Sequence, residues 1–105
     1  MKKILFIALL LTGSAELLPA QDLVSIVLRS DTLYHQGEYS KAAELMENTI
    51  PLVKKNTFDY AYVMNFLGII HKAMGNYEKT EKYYLETLTT RETVLGKEHS
   101  DYISS

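Results

Sequence analysis

Residues 71–80 read His71-Lys72-Ala73-Met74-Gly75-Asn76-Tyr77-Glu78-Lys79-Thr80, and the text around Gly75 decides the fold. Upstream stands Gly37-Glu38-Tyr39-Ser40-Lys41-Ala42, in which glycine, tyrosine and lysine coincide with Gly75, Tyr77 and Lys79 at an offset of 38 residues. Asp59-Tyr60 returns as Asp101-Tyr102 at an offset of 42 residues. Self-similarity at such a period marks stacked units, each too small to bury its apolar face alone. The difference of four residues falls in the connection after each unit's second helix. It is shorter before Asp59, where Pro51 intervenes, and longer before Asp101, where Leu95-Gly96-Lys97-Glu98 sits.

Each unit predicts a helical hairpin. Before Gly75, Ala61, Met64, Gly68 and His71 form one stripe, with Tyr60, Val63, Leu67 and Ile70 beside it. Spacings of three and four are a helical period with a wide apolar face. Gly75-Asn76 predicts a turn, because glycine takes the left-handed conformation that stops a helix. The next helix is expected to pack through Tyr77, Thr80, Tyr84, Thr87, Leu88, Arg91 and Leu95 and to end at Gly96. In the first unit a helix from about Asp22 to His35 uses Leu23, Ile26, Val27, Ser30, Leu33 and Tyr34. Gly37 breaks it, and Tyr39, Ala42, Ala43, Met46, Thr49 and Ile50 line its partner, which Pro51 bends or ends. Thr57 and His99 each stand two residues before an aspartate, so each is expected to cap a helix whose first turn carries Asp59 or Asp101. No alternating strand pattern occurs. Gly68 sits inside a helix, where glycine costs about 1 kcal/mol against alanine. That cost is expected where a neighbouring helix approaches closely, with Ser30 in the matching place of the first unit.

Composition bounds the rest. The chain has 105 residues, 47% of them hydrophobic and 23% charged, with a formal net charge of -2. That is one small soluble domain and not a disordered tail. Weak net charge argues against a nucleic-acid partner, which calls for a clustered basic face. Cysteine is absent, which excludes disulfides, thiolate metal sites and cysteine nucleophiles together.

The amino terminus reads as an address. Lys2 and Lys3 precede an apolar run from Ile4 to Leu11, and small residues follow to Ala15 and again at Ala20. This is the pattern of a secretory signal peptide, and the run is far shorter than the ~20 residues of a spanning helix. The competing reading is a buried amino-terminal helix, but the run is apolar on all faces. Residues 1–20 are assigned to the signal, with Ala20 as the expected cleavage site and Ala15 as the alternative. What remains carries 9 basic and 12 acidic side chains. The mature chain is expected to be exported, periplasmic or secreted, with no stable membrane span.

Leu67-Gly68, His71, Gly75, Tyr77, Thr80, Tyr84 and Thr87 fall at spacings that resemble the tetratricopeptide repeat. Met74 to Lys79 and Arg91 to Tyr102 look like the 42-residue variety typified by kinesin light chain, which is common in bacterial arrays. The resemblance covers about Asp22 to Ser105 and is most specific over residues 57–102. It implies an all-α fold, a segment of right-handed α-solenoid. Residues 21–56 would be the first hairpin, 57–98 the second, and 99–105 the start of a truncated third repeat. Departures are His71 for the usual tyrosine, Thr80 and Thr87 for alanines, and Ser100 for a proline. The threonine hydroxyls then need local carbonyl partners.

No reaction is legible. His71 lies on the packed stripe and is read as a core or groove histidine. His99-Ser100-Asp101 holds the residue types of a hydrolytic triad, but consecutive residues cannot supply its geometry. His35 sits where a cation complements a helix end. No metal-binding, phosphate-cradling or carboxylate-pair motif is present, so no catalytic residue, metal or cofactor is assigned. Tyr77 and Tyr84 are read as core and rim, with Tyr83 off the packed face.

Stacked hairpins align their first helices along an inner groove. Tyr62, Asn65, Ile69 and Lys72 are the groove candidates of the second unit; Val24, Val27, Asp31 and His35 are those of the first. The resemblance implies that such positions bind extended peptides or partner segments and that Asn65 holds a peptide backbone, since an amide both donates and accepts. Val27 stands where Asn65 has its counterpart, so the chain has no asparagine ladder. The expected function is protein–protein binding by an exported scaffold belonging to a longer array. Two rivals are the sensory or scaffold front of a signalling enzyme (a histidine kinase or caspase-like protease) and a module that self-associates through its open last hairpin.

Overall fold

A computed structural model describes residues 17–104, with side chains through residue 97. Helix α1 spans Ala20–His35 and α2 spans Tyr39–Thr49; a single 3-10 turn, Ile50–Leu52, follows. Helix α3 spans Phe58–Ala73 and α4 spans Tyr77–Ser104. There is no strand among the described residues. Helices α1 and α2 pack as one hairpin, α3 and α4 as a second, and α2 lies against α3. The fold is all-α, built of tetratricopeptide-type helical hairpins.

Both hairpins turn in the same way. Gly37 and Gly75 have φ of 79° and 76°, values that L side chains rarely adopt. The Glu38 N–H donates to the Leu33 carbonyl at 2.9 Å and the Gly37 N–H to the Tyr34 carbonyl at 3.0 Å. Asn76 to His71 at 2.9 Å and Gly75 to Lys72 at 3.0 Å repeat the pair. This six-to-one and five-to-two pattern satisfies carbonyls that the helix end leaves unpaired. At the start of α3 the Thr57 hydroxyl accepts from the Tyr60 N–H at 3.1 Å, and Asp59 lies in the first turn. Pro51 ends α2 by tightening its continuation into the 3-10 turn, where its missing N–H costs little.

The apolar stripes of α3 are buried as their spacing requires. Val63, Leu67 and Ile70 are fully enclosed, with Ala61, Met64 and His71 beside them. Gly68 lies directly beneath the ring of Tyr84, so that a side chain there would overlap it. In the first hairpin Ser30 takes the place of Gly68 and donates its hydroxyl to the Ala42 carbonyl at 3.1 Å. Thr80 and Thr87 donate to the carbonyls of Asn76 and Tyr83, at 3.0 and 2.8 Å, so both hydroxyls are satisfied one turn back.

Helix α4 departs from the expectation in two ways. Its buried stripe is Thr80, Thr87, Thr90 and Val94, with half-buried Tyr83 and Tyr84. Tyr77, Leu88 and Leu95 are more than half exposed. The packed face keeps Thr80, Tyr84 and Thr87 of the predicted one and turns toward Tyr83, Thr90 and Val94, away from Leu88, Arg91 and Leu95. Tyr83 belongs to the packed side, not off it. The helix also runs through Gly96 to Ser104 instead of ending at Gly96 and restarting after His99. One glycine costs only about 1 kcal/mol in a helix, too little to end it by itself.

Of residues 1–20, read from the sequence as a signal peptide, residues 1–16 lie outside the described residues. Leu17 to Ala20 are part of the fold: the Leu18 N–H donates to the Leu52 carbonyl at 2.9 Å, and the Pro19 carbonyl accepts from Asp22 and Leu23.

Candidate functional site

Helix α3 is buried on the sides that meet α2 and α4. Its remaining side carries the predicted residues. Tyr62, Ile69 and Lys72 are exposed and Asn65 is half-buried. Spacings of three and four bring them onto one strip over about 15 Å of helix. On α1, Val24 and Leu28 are exposed and Val27 is half-buried.

Two hollows interrupt the strip. One, of about 350 Å³, is lined by Leu23, Val24, Val27, Leu28, Asp59 and Tyr62, and so joins α1 to α3. The other, of about 440 Å³, is lined by Tyr34, Ile69, Lys72, Ala73 and Tyr84. The four candidates are thus divided: Tyr62 serves the apolar hollow, Ile69 and Lys72 the second, and Asn65 lines neither. The first is an apolar cup with one carboxylate at its rim; the second sets an ammonium group among aromatic rings. Asp31 and His35 are paired with each other on α1: the His35 Nδ1 lies 3.4 Å from the Asp31 carboxylate and 2.9 Å from the Asp31 carbonyl.

His71 is 3% exposed and sits in a cluster the sequence did not suggest. Its Nε2 lies 3.3 Å from Glu47 Oε2, and the Tyr83 hydroxyl donates to the same oxygen at 2.7 Å. The His71 and Tyr83 rings stack with centroids 5.5 Å apart. One carboxylate on α2 therefore joins α3 to α4 and holds the second hairpin onto the first. His71 Nδ1 has no partner. Burial raises the Tyr83 pKa above its ordinary value, helped by its hydrogen bond to Glu47. Burial likewise raises that of Tyr60, with the Glu86 carboxylate adding to it. The signal that could have found the cluster is Glu47 itself, a carboxylate 24 positions before His71 on a helix otherwise read for its apolar residues.

These groups connect helices. The side chains of His99, Ser100 and Asp101 lie outside the described ones. Among the described residues no group of His, Asp and Glu could hold a metal ion. No helix among them is long and apolar enough to cross a membrane.

No curated protein and no solved structure matches the chain. Residues 61–101 match the family model described as a tetratricopeptide repeat. The matched stretch lies within the α3–α4 hairpin, and α1 and α2 repeat its turn geometry.

Proposed function

We propose that the chain is an exported scaffold that binds an extended segment of a protein partner along the α1–α3 face. One observation carries this reading. Three large apolar side chains, Val24, Leu28 and Tyr62, stay exposed around a single hollow between the two first helices. Exposed apolar groups gathered in a concavity mark an interaction site, whereas scattered ones do not. Asn65 would pair with the partner's backbone, Tyr62 and Ile69 would cover its apolar side chains, and Lys72 would favour an acidic neighbour.

Export is part of this reading, supported by the Lys2-Lys3 start and the Ile4 to Leu11 run. Cleavage after Ala15 is the version favoured, because a cut after Ala20 removes Leu18 and the Pro19 cap from the fold. The 42-residue kinesin-light-chain variety completes it.

The test has two parts. A partner retained by the chain is identified by mass spectrometry and titrated against the wild type and an Asn65→Ala, Lys72→Ala variant. Weakening of roughly tenfold or more is expected, about 1.4 kcal/mol; unchanged affinity removes the α3 face from the account. The N-terminus of the expressed chain is then sequenced. Glu16 is expected, and a chain retaining Met1 inside the cell overturns export.

A further inference from the structure

The α1–α3 face carries opposite charges at its two ends. Asp59 stands in the first turn of α3 and borders the hollow of Val24, Leu28 and Tyr62. Lys72 stands in the last turn and borders the hollow of Tyr34, Ile69 and Tyr84. Both residues are exposed, and neither is in an ion pair among the described residues. Lys54 borders a neighbouring hollow together with Asp59 but makes no ion pair with it. Asp31 on α1, by contrast, is engaged by His35. Each free charge also exceeds the opposite half-charge of the helix end at which it stands. The strip is therefore negative where α3 begins and positive where it ends.

Between the charges stand two apolar contacts, Tyr62 at 54% exposure and Ile69 at 36%. Along α3, Tyr62 lies about 4.5 Å beyond Asp59, Ile69 about 15 Å and Lys72 about 20 Å. An extended chain advances about 3.3 Å per residue, and alternate side chains share one side. Its first, third, fifth and seventh side chains thus fall at about 0, 7, 13 and 20 Å, close to the spacing of the four groups on α3. The walls at the Lys72 end are already held. The Tyr34 ring packs on Tyr39 and Phe66, with centroids 5.3 and 6.2 Å apart, and the Tyr84 ring lies over Gly68. An ammonium beside phenol hydroxyls is a set of donors, and a carboxylate is the group that suits it.

From this order of groups we infer that the partner segment is an extended run of about seven residues carrying opposite charges at its ends. A cationic side chain meets Asp59, apolar side chains two and four positions on meet Tyr62 and Ile69, and a carboxylate six positions on meets Lys72. Either chain direction serves, because the side chains carry the charges. The inference rests on the proposed use of the α1–α3 face by an extended segment, and adds to it the chemistry by which partners are chosen. A segment with the same charge at both ends sets like charges together at one hollow. Such complementarity selects among partners more than it adds affinity.

The full chain, labelled with nitrogen-15, is titrated with blocked heptapeptides and followed by its amide shifts. The first probe has lysine first, leucine third and fifth, glutamate last and serine between; the second is its reverse. Two controls carry two lysines or two glutamates at the ends. One of the opposite-charge probes is expected to move the amides of Tyr62, Asn65, Ile69 and Lys72. It should bind roughly fivefold tighter than either control at low salt. The margin should shrink in about 0.5 M salt. Lys72→Glu is expected to turn the preference toward the two-lysine peptide, and the wild-type comparison decides the matter even if that variant fails to fold. A same-charge peptide that binds this face as well as the opposite-charge probes overturns the charge order and leaves the groove in place. If no peptide moves the amides of this face at millimolar concentration, the charge order and the groove fall together.

Discussion

The hairpin turning at Gly37 and the hairpin turning at Gly75 share their backbone and differ in how they fill it. Where the second sets an aromatic ring over a bare backbone, Tyr84 on Gly68, the first sets Met46 and Ser30 at the same places. Glycine gives up helix propensity to admit the ring; serine keeps a side chain and ties it to Ala42. Both solutions close the same interhelical space, so the turn geometry and not the filling makes the repeat. The greater difference lies outside each hairpin. The first is covered by the second, and the second is covered by nothing among the described residues.

Paired substitutions sharpen that contrast. The largest effect is expected from Leu67→Ala against Arg29→Ala, which occupy equivalent positions. Leu67 is fully enclosed between the hairpins, and its truncation should cost about 2–5 kcal/mol. Arg29 is exposed, and its loss should stay within about 0.5 kcal/mol. Urea unfolding curves of the two variants decide it; equal shifts in midpoint would show that the two positions are covered alike.

Glu47→Ala against Leu85→Ala comes next. Removing Glu47 leaves the Tyr83 hydroxyl and the His71 ring without their acceptor, at a cost of about 1–3 kcal/mol. Leu85 is more than half exposed, so its removal should shift the unfolding midpoint far less than the loss of Glu47.

The smallest effect is expected at alkaline pH. Tyr60 and Tyr83 hold their protons in the fold above the ordinary phenol value of 10.0. The unfolded chain loses those protons first, so stability is full below about pH 10 and falls as the pH rises beyond it. Tyr83→Phe should flatten that fall in a thermal-melt series from pH 8 to 11. A wild-type profile that stays level through this range would remove the phenols from the balance.

How legible was this in the sequence? The turns at Gly37 and Gly75, the Thr57 cap and the burial of His71 were, because each depends on a few neighbouring residues and a fixed backbone geometry. The Thr80 and Thr87 hydroxyl bonds were for the same reason. The packed side of α4 was not. Thr80, Tyr84 and Thr87 were placed on it, but Leu88 and Leu95 looked like core while Thr90 and Val94 are what is buried, and only the position of α3 decides which side is inside. The groove strip on α3 was legible as a strip. Its division into two hollows, with Asn65 lining neither, depends on where α1 and α4 stand.

The amino-acid sequence by itself determined a helical repeat, its turns and its period, since these follow from backbone conformation and from spacings of three and four. Only the tertiary structure decided that Glu47 fastens the second hairpin to the first. It alone turned the long helix past Gly96 and left Tyr77, Leu88 and Leu95 of that helix exposed. Those outcomes rest on which surfaces meet across distant parts of the chain, and spacing within a helix carries no information about its neighbour.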